Sequence, residues 1–303
     1  MKIEAIYTLK QPLSHIGESE GTASFLNTIR IAAEGKVQEV FALTGNAIRG
    51  TLRDCAARHL LDHLDARVKK KEFNILFSGG NISGAMSVDI DQAKKYRELL
   101  PVISLFGAGV GNQILAGKIT QGFAMPVCRE TAGIIPYMEG IDRALFENSW
   151  RSMTGTVSFT RFDDSKNVLF QPYMQGEDNT DKDAASTQMR YEVEYLVPGS
   201  QLYHAINLYT ESEIELGAYV AALKEFSMSP VLGGMGGKGF GLCDADFISE
   251  GEQFAEITDS AIKLSAPAGR ALEGYEKFIA DRSEEIIEFL GAVKNEQKDN
   301  GAI

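Results

Sequence analysis

The segment TGNAIRGTLR, residues 44–53, decides how the chain folds because it joins a strand pattern to a helix pattern. The largely apolar run 37–43 that precedes it is typical of a strand. Apolar residues then recur at every fourth position and predict a helix over 48–64. Between the two, Gly45 predicts a sharp turn, and Asn46 is a residue type that caps helix N-termini.

Two arginines stand at the start of this predicted helix. Arg49 falls in its first turn, and Arg53 follows on the same face. The free amides and the dipole of a helix N-terminus disfavour a cation there by about 0.3–1 kcal/mol. A bound anion makes this placement of the arginines favourable, because the amides, the dipole and both guanidinium groups then face one negative group. The sequence therefore predicts an anion site. The alternative is that both arginines are solvated or pair with Asp54 and nearby acids.

The same segment imitates a nucleotide-binding P-loop. Gly45 and Gly50 satisfy G-x-x-x-x-G between a strand and a helix, and Thr51 follows. A P-loop requires a lysine directly after the second glycine, and that lysine is missing. A nucleotide-dependent enzyme is therefore kept only as an alternative, which a nucleotide-binding titration tests.

Composition restricts the class of protein. With 303 residues, 44% of them hydrophobic, the chain is long enough for a sizeable core. No run approaches the roughly 18 apolar residues of a membrane span, and the first ten residues lack a signal-peptide pattern. Cys55, Cys128 and Cys243 have no metal-ligand spacing. We therefore expect a reducing, cytoplasmic location.

The acidic charge is concentrated at the C-terminal end. The formal net charge is −12, yet residues 242–303 alone hold 6 basic and 14 acidic side chains. Subtracting these from the totals of 30 and 42 leaves residues 1–241 with 24 basic and 28 acidic side chains. This distribution permits a local basic groove and a nucleic acid partner but does not require one.

Hydrophobic periodicity and turn residues predict the remaining elements. Residues 72–141 are irregular and rich in glycine, which indicates an insertion with little core of its own. A long polar stretch, 163–188, separates two strand patterns and indicates a projecting hairpin with a mobile end. The predicted elements are strands over 2–9, 25–31, 117–127, 152–162, 189–197 and 202–209, a loop over 11–24, and helices over 91–100, 212–227 and 283–294.

A second glycine-rich segment, 230–241, contains G-x-G-x-x-G at Gly234, Gly236 and Gly239. It follows a helix pattern rather than a strand, which excludes a Rossmann fingerprint. Glycines allow a backbone to approach a ligand and present its amides, here with Lys238 as the cation. The alternative interpretation is a tight bulge in a strand.

His59 and His63 stand four residues apart on the first predicted helix, a spacing that suits two metal ligands. Neither H-E-x-x-H nor a third ligand is evident, so we interpret them as a surface or groove pair and predict no metal site. No serine lies in G-x-S-x-G, and the histidines, cysteines and acids form no nucleophile–base pattern. The sequence gives no positive indication of catalysis or of a cofactor.

Three motifs occur in order along the chain. They are Ser14-His15-Ile16-Gly17-Glu18 after the first strand, residues 44–53 at the first helix, and the glycines of 233–241. Together they resemble the repeat-associated RNA-binding (RAMP) superfamily of CRISPR effector complexes. The segment PLSHIGE, residues 12–18, is most similar to the backbone subunit of type IV systems.

The resemblance implies an α+β fold with a ferredoxin-like palm of the RNA-recognition-motif type, formed by 1–64 and 152–303. It also implies a finger-like insertion over 65–151 and a thumb β-hairpin with its tip at 163–188. Copies are expected to oligomerise along a CRISPR guide RNA as a non-catalytic backbone and to form a helical filament. This ribonucleoprotein presents the guide to a target nucleic acid in antiviral defence. Other subunits of the effector complex are expected partners.

The resemblance also implies which residues contact RNA. The expected RNA-binding residues are Ser14, His15, Gly45, Asn46, Arg49, Arg53, Gly236, Gly237, Lys238 and Phe240. The thumb residues expected to wedge between bases are Leu169, Phe170, Tyr173 and Met174. Such contacts do not depend on charge, which suits an acidic tip.

One departure from the resemblance concerns cleavage. RNA-cutting backbone subunits of type III complexes carry an aspartate in the loop after the first strand, whereas the corresponding stretch here, 24–28, has no carboxylate. We therefore expect no cleavage. The alternative is an RNA-cleaving or RNA-processing RAMP enzyme with His15 and Glu18 as acid and base, which incubation with guide and target RNA tests.

Overall fold

The computed structural model describes residues 1–80, 90–161 and 189–295. These residues form seven α-helices and seventeen strands, numbered in chain order. The helices are α1 (Gly45–Leu64), α2 (Lys70–Ser78), α3 (Ile90–Leu99), α4 (Pro101–Phe106), α5 (Glu213–Ser227), α6 (Ala266–Asp281) and α7 (Ser283–Leu290). The strands are β1 (Lys2–Leu9), β2 (Ile16–Glu20), β3 (Ala23–Leu26), β4 (Thr28–Ala33), β5 (Lys36–Phe41), β6 (Ala66–Arg67), β7 (Ala108–Val110), β8 (Gln113–Leu115), β9 (Ile119–Gln121), β10 (Met125–Pro126), β11 (Thr154–Arg161), β12 (Met189–Leu196), β13 (Gln201–Leu208), β14 (Cys243–Ser249), β15 (Glu252–Thr258), β16 (Ala261–Leu264) and β17 (Val293–Lys294).

A seven-stranded antiparallel sheet forms the palm. Its strands lie in the order β10-β13-β1-β14-β15-β16, and β9 also pairs with β13 on the same side as β10. In chain order, β1, α1, the β9–β10 edge, β13, α5 and β14 follow the pattern β-α-β-β-α-β of ferredoxin-like folds. The predicted α+β, ferredoxin-like fold is therefore confirmed.

The alternation of side chains along β1 divides the palm into two faces. Ile3, Ala5 and Tyr7 are at most 1% exposed and belong to the main core, which also contains the buried residues of α1 and α5. Ile6 belongs instead to a smaller cluster on the opposite face, together with Tyr203 of β13. The helices thus cover one side of the sheet, and α1 begins at the edge of that side, against β9.

The glycine-rich range within 65–151 contributes to the main core. Leu76, Leu100, Val102 and Leu105 are fully buried in the same cluster as the palm residues, and α4 packs against α1 and α5. The strands β9 and β10 complete the palm sheet. The glycine-rich range was predicted to have little core of its own, and the apolar residues between its glycines are buried in the main core, against the palm helices. The division into a palm and a finger stays a prediction.

The predicted hairpin base is present in a second sheet, β11-β12-β3-β2. β11 and β12 pair antiparallel from Thr154 opposite Leu196 to Arg161 opposite Met189. The tip over 163–188 lies outside the described residues, and so do the predicted thumb residues Leu169, Phe170, Tyr173 and Met174. β2 occupies part of the predicted loop 11–24. Every residue of this strand is exposed, so it lacks the apolar alternation that predicts strands.

Other boundaries differ by a few residues. The first helix begins at Gly45 rather than at Ile48, and Pro101 starts α4 instead of only ending the helix before it. α5 agrees with the prediction, and Ser212 Oγ accepts from the backbone N–H of Glu215 as a cap. Within the described ranges, no helix combines the length and apolar character needed to cross a membrane.

Candidate nucleic-acid interface

The start of α1 is capped by Thr44, not by Asn46 as predicted. Thr44 Oγ1 accepts from the backbone N–H of Ala47 at 3.3 Å. Gly45 has a different role from the predicted turn, since a Cβ at this position would lie 2.3 Å from the carbonyl oxygen of Gln121. The glycine is needed because the helix begins directly against β9. Asn46 is left exposed at the same helix end.

The loop after β1 connects the other two predicted motifs. The carbonyl oxygen of Ser14 accepts from the backbone N–H of Gly234 at 2.8 Å, and the backbone N–H of Thr44 donates to His15 Nε2 at 3.5 Å. Burial lowers the pKa of His15, which keeps the ring neutral and Nε2 able to accept. The three motifs, distant in sequence, therefore meet at one place on the palm.

A cleft of about 690 Å³ opens beside the start of α1. Asn46, Arg49 and Arg53 form one wall, and the turns around β7 and β8 form the other. The second wall is lined by glycines at positions 79, 80, 107, 109 and 117. Gly80 is required by close packing, since a Cβ there would lie 2.0 Å from the carbonyl oxygen of Gly109. Among the described residues that line the cleft, none is acidic.

The two arginines of the cleft are held differently. Arg53 is 8% exposed, and its Nη2 donates to the carbonyl oxygens of Phe106 at 2.7 Å and Gly107 at 3.3 Å, where α4 ends. The alternative interpretations of Arg53, as a solvated side chain or as a partner of Asp54, do not account for these hydrogen bonds. Arg49 is only partly buried. Within the described chain, the Nε atoms of both arginines lack a hydrogen-bond partner.

The charges of the two arginines act on each other. Burial lowers the pKa of Arg53, and the positive charge of Arg49 lowers it further. The carboxylate of Asp54, which does not line the cleft, acts on the pKa of Arg53 in the opposite direction. Two guanidinium groups therefore share a cleft that no described carboxylate lines. Such an arrangement suits an anion that accepts hydrogen bonds, such as a phosphate group.

The glycine-rich loop ends beside aromatic side chains that the sequence analysis did not identify. Lys238 Nζ lies 4.6 Å from the ring centroid of Tyr191 and 5.0 Å from that of Phe159, and it donates to Tyr191 Oη. Phe159 and Tyr191 face each other across β11 and β12, with ring centroids 5.4 Å apart. The sequence does contain a signal for these rings, because Tyr191 and Tyr195 are evenly spaced aromatic residues of β12 and therefore share one face of the strand.

Four of the expected RNA-binding residues are buried, and besides Gly45 and Arg53 these are Ser14 and Phe240. Ser14 is 1% exposed, and Phe240 is 4% exposed beneath Phe159 and Tyr195. Their side chains do not face solvent, and contact of these two residues with RNA stays a prediction. Gly236 and Gly237 are exposed in a 3-10 turn that leads to Lys238.

His15 and Glu18 do not form an acid–base pair in this structure. His15 Nε2 is occupied by the backbone N–H of Thr44, while Glu18 lies exposed in β2 opposite Phe25. Among the described residues, His15 has no ion pair with a carboxylate. The prediction that the chain is not an enzyme stays a prediction.

The fold and the site define an α+β chain with a ferredoxin-like palm, a β-hairpin and a basic cleft. No protein-family model matches the sequence, and no curated protein matches it. Among solved structures, the chain is similar to one from a Type IV-B CRISPR complex, with a TM-score of 0.57 and 15% sequence identity. The match covers 83% of this chain and 92% of the other. At this identity, the similarity establishes a shared fold.

Proposed function

We propose that the chain is a non-catalytic, guide-RNA-binding backbone subunit of a CRISPR effector complex. It oligomerises along the RNA and presents the guide for pairing with a target nucleic acid. The observation that carries this proposal is the cleft at the start of α1. In a chain of net charge −12, two arginines with unpartnered Nε atoms line the cleft, and no described carboxylate does.

The surroundings of the cleft support a phosphodiester chain as the source of the anion. A phosphodiester chain needs backbone amides and cations for its phosphates and flat apolar surfaces for its bases. The exposed glycine turn before Lys238 supplies amides, and Phe159 and Tyr191 supply stacked rings. The contacts of Ser14 and His15 join this loop to the start of α1. The fold similarity to a chain of a Type IV-B CRISPR complex supports guide RNA as the ligand.

Binding of single-stranded RNA at a series of salt concentrations tests the proposal. The Arg49→Ala variant should bind all RNA sequences more weakly, and the slope of log affinity against log salt should fall by about 1. Arg270→Ala is the matched control, because Arg270 is an exposed arginine on α6 that does not line the cleft. Equal affinity of Arg49→Ala and the parent protein would contradict phosphate binding in the cleft.

The aromatic part of the interface has its own test. Replacing Tyr191 by leucine removes a stacking surface and should weaken RNA binding by about 1–3 kcal/mol without a change in salt slope. Tyr209→Leu is the control, since Tyr209 is 65% exposed and lies outside the interface. If both variants bind RNA equally well, the rings at β11 and β12 do not contact bases.

Assembly and the absence of catalysis are tested with the same protein. Light scattering with guide RNAs of increasing length should give particles whose mass grows with the RNA, and a mass that stays that of one chain contradicts oligomerisation. The purified particle should leave labelled guide and target RNA intact. Cleavage that disappears in a His15→Ala variant would instead support the RNA-processing enzyme.

A further inference from the structure

The C-terminal half of α1 carries a second polar cluster, remote from the proposed RNA interface. His59 is fully buried, so its interpretation as part of a surface pair is wrong, while the side chain of His63 is 36% exposed. Glu276 of α6 lies opposite both rings. Its Oε1 is 3.6 Å from Nε2 of His59 and 3.6 Å from Nε2 of His63. The three ligand atoms all lie within 4.8 Å of one another.

Hydrogen bonds at the other ring nitrogens fix which atoms carry protons. His59 Nδ1 lies 3.3 Å from Oε1 of Glu225, and His63 Nδ1 lies 2.9 Å from the carbonyl oxygen of His59. A carboxylate and a carbonyl only accept, so both Nδ1 atoms must donate. In the neutral rings, both Nε2 atoms therefore present lone pairs.

Those lone pairs point at a negatively charged group. Glu276 Oε1 is also electron-rich, and His59 Nε2 is buried without any hydrogen-bond partner among the described residues. Three electron-pair donors therefore lie within 4.8 Å of one another, and no described residue donates to His59 Nε2.

We propose that His59, His63 and Glu276 bind one zinc ion, which clamps α1 to α6. Two imidazoles and one carboxylate are ligands that zinc accepts, and imidazoles are unsuited to calcium or magnesium. Zinc–ligand bonds of about 2.0–2.1 Å at tetrahedral angles place neighbouring ligand atoms about 3.3 Å apart. The two separations between Nε2 and Oε1, 3.6 Å each, need a small adjustment, and the two Nε2 atoms, which lie within 4.8 Å of each other, must approach to the same spacing. The partly exposed side of His63 leaves room for water as the fourth ligand.

The surroundings of the cluster resemble those of metal-binding histidines in general. A ligating histidine commonly donates its other ring nitrogen to a carboxylate, as His59 does to Glu225. Glu225 is itself held by Arg58, whose Nε donates to Oε2 at 3.1 Å. One group competes with the metal, because Lys224 Nζ donates to Glu276 Oε1 at 2.9 Å. Zinc binding therefore requires Lys224 to move aside.

Zinc titration of chelator-treated, reduced full-length protein tests the proposal. Calorimetry should give one zinc ion per chain, and Tm should rise by about 4–6 °C at a zinc concentration a hundred times Kd. His63→Ala should weaken zinc binding at least tenfold, as should Glu276→Gln, which keeps the shape of the side chain. Both positions are partly exposed, so these variants are expected to fold.

Two further variants separate a metal site from an ordinary hydrogen-bonded cluster. Lys224→Met removes the competing ammonium group and should tighten zinc binding several-fold. Asp62→Asn removes an exposed acid beside His63 on α1 and should leave zinc affinity within twofold. The assignment is overturned if the parent protein binds no stoichiometric zinc, if His63→Ala binds it as tightly as the parent, or if Lys224→Met does not tighten binding.

Discussion

The two ends of α1 present opposite electrostatic situations. At the N-terminal end, Arg49 and Arg53 share a cleft that no described acid lines. Toward the C-terminal end, lone pairs of His59 and His63 converge on the carboxylate of Glu276. In the first arrangement no described acid lines the cleft, and in the second the buried Nε2 of His59 has no described hydrogen-bond donor. The comparison teaches that polar atoms left without partners in a well-packed helix indicate the charge of a missing ligand, an anion at one end and a cation at the other.

The largest effect is expected where the helices that hold the histidine cluster approach most closely. A Cβ on Gly217 of α5 would lie 2.0 Å from the carbonyl oxygen of Ala271 in α6. Gly217→Ala must push α6 outward and should lower the free energy of unfolding by about 1–3 kcal/mol in urea titrations. It should also weaken zinc binding, because Glu276 moves with α6.

Gly269 on α6 provides the matched control for this prediction. An added Cβ there meets no atom within 4 Å. Gly269→Ala should therefore raise the free energy of unfolding by up to about 1 kcal/mol, since alanine favours a helix over glycine. If both alanine variants were equally stable, the close approach of α5 and α6 would not determine the geometry of the cluster.

At the N-terminal end of α1, Arg53 should stabilise the fold, whereas Arg49 should matter for anion binding and not for stability. Arg53→Ala leaves the buried carbonyl oxygens of Phe106 and Gly107 without their donor, so the free energy of unfolding should fall by about 1–3 kcal/mol. Arg49→Ala removes no such contact and should change it by less than about 0.5 kcal/mol. Equal destabilisation by the two substitutions, measured in urea, would remove the distinction between them.

Glu215 is a carboxylate that is surrounded by hydrogen-bond donors. It accepts from Ser104 Oγ at 2.6 Å, from Lys118 Nζ at 2.5 Å and from Thr210 Oγ1. Burial acts to raise the pKa of Glu215, but these hydrogen bonds outweigh it and the pKa is lowered. Unlike Glu276 beside the histidines, this group needs no added ligand.

The lowered pKa makes a prediction about acid stability. The ionised form of Glu215 stabilises the fold above its unfolded pKa of about 4.3, and this contribution is lost as pH falls through the lower folded pKa. Glu215→Gln should therefore be less stable than the parent by about 1–3 kcal/mol at pH 7, and the difference should shrink on acidification. Thermal unfolding of both proteins from pH 7 downward measures it, and a pH-independent difference contradicts the role given to the charge.

Local signals in the sequence predicted part of this picture. The strand–turn–helix segment 44–53, the helix capped by Ser212 and the separate strand patterns of β11 and β12 are each recognised from residues close together in sequence, whereas the pairing of β11 with β12 joins residues as distant as Thr154 and Leu196. The ferredoxin-like palm was expected from the family resemblance alone, since periodicity does not determine which strands pair. The Gly45 turn was misread, because the atom that requires the glycine belongs to Gln121 on another strand.

The histidine cluster shows why other features of the structure could not be predicted from the sequence. His59 and His63 were recognised as a spaced pair, but their third partner, Glu276, comes from a helix near the other end of the chain. Nothing in the sequence around Glu276 distinguishes it from the other acids of that acidic segment. Only the packing of α5 between α1 and α6, set by Gly217, brings the three groups together.

Only a small effect on the fold is expected at Lys238. Its exposed ammonium group lies over the partly buried rings of Tyr191 and Phe159, a contact worth about 0.5–1 kcal/mol at an exposed site. Lys238→Gln should therefore cost at most that much stability. RNA binding should still weaken uniformly across sequences, and the salt slope should fall by about 1, if Lys238 contacts a phosphate.

Lys263 is the matched control for this last substitution, because it is an exposed lysine of β16, a strand at the far edge of the palm sheet from β10. Lys263→Gln makes the same change in net charge and should leave the salt slope unaltered. If the salt slope of RNA binding falls equally in both variants, binding depends only on the overall charge of the chain. A loss confined to Lys238→Gln extends the anion-binding surface from the cleft at α1 to the glycine-rich loop, and thereby sharpens its contrast with the histidine end.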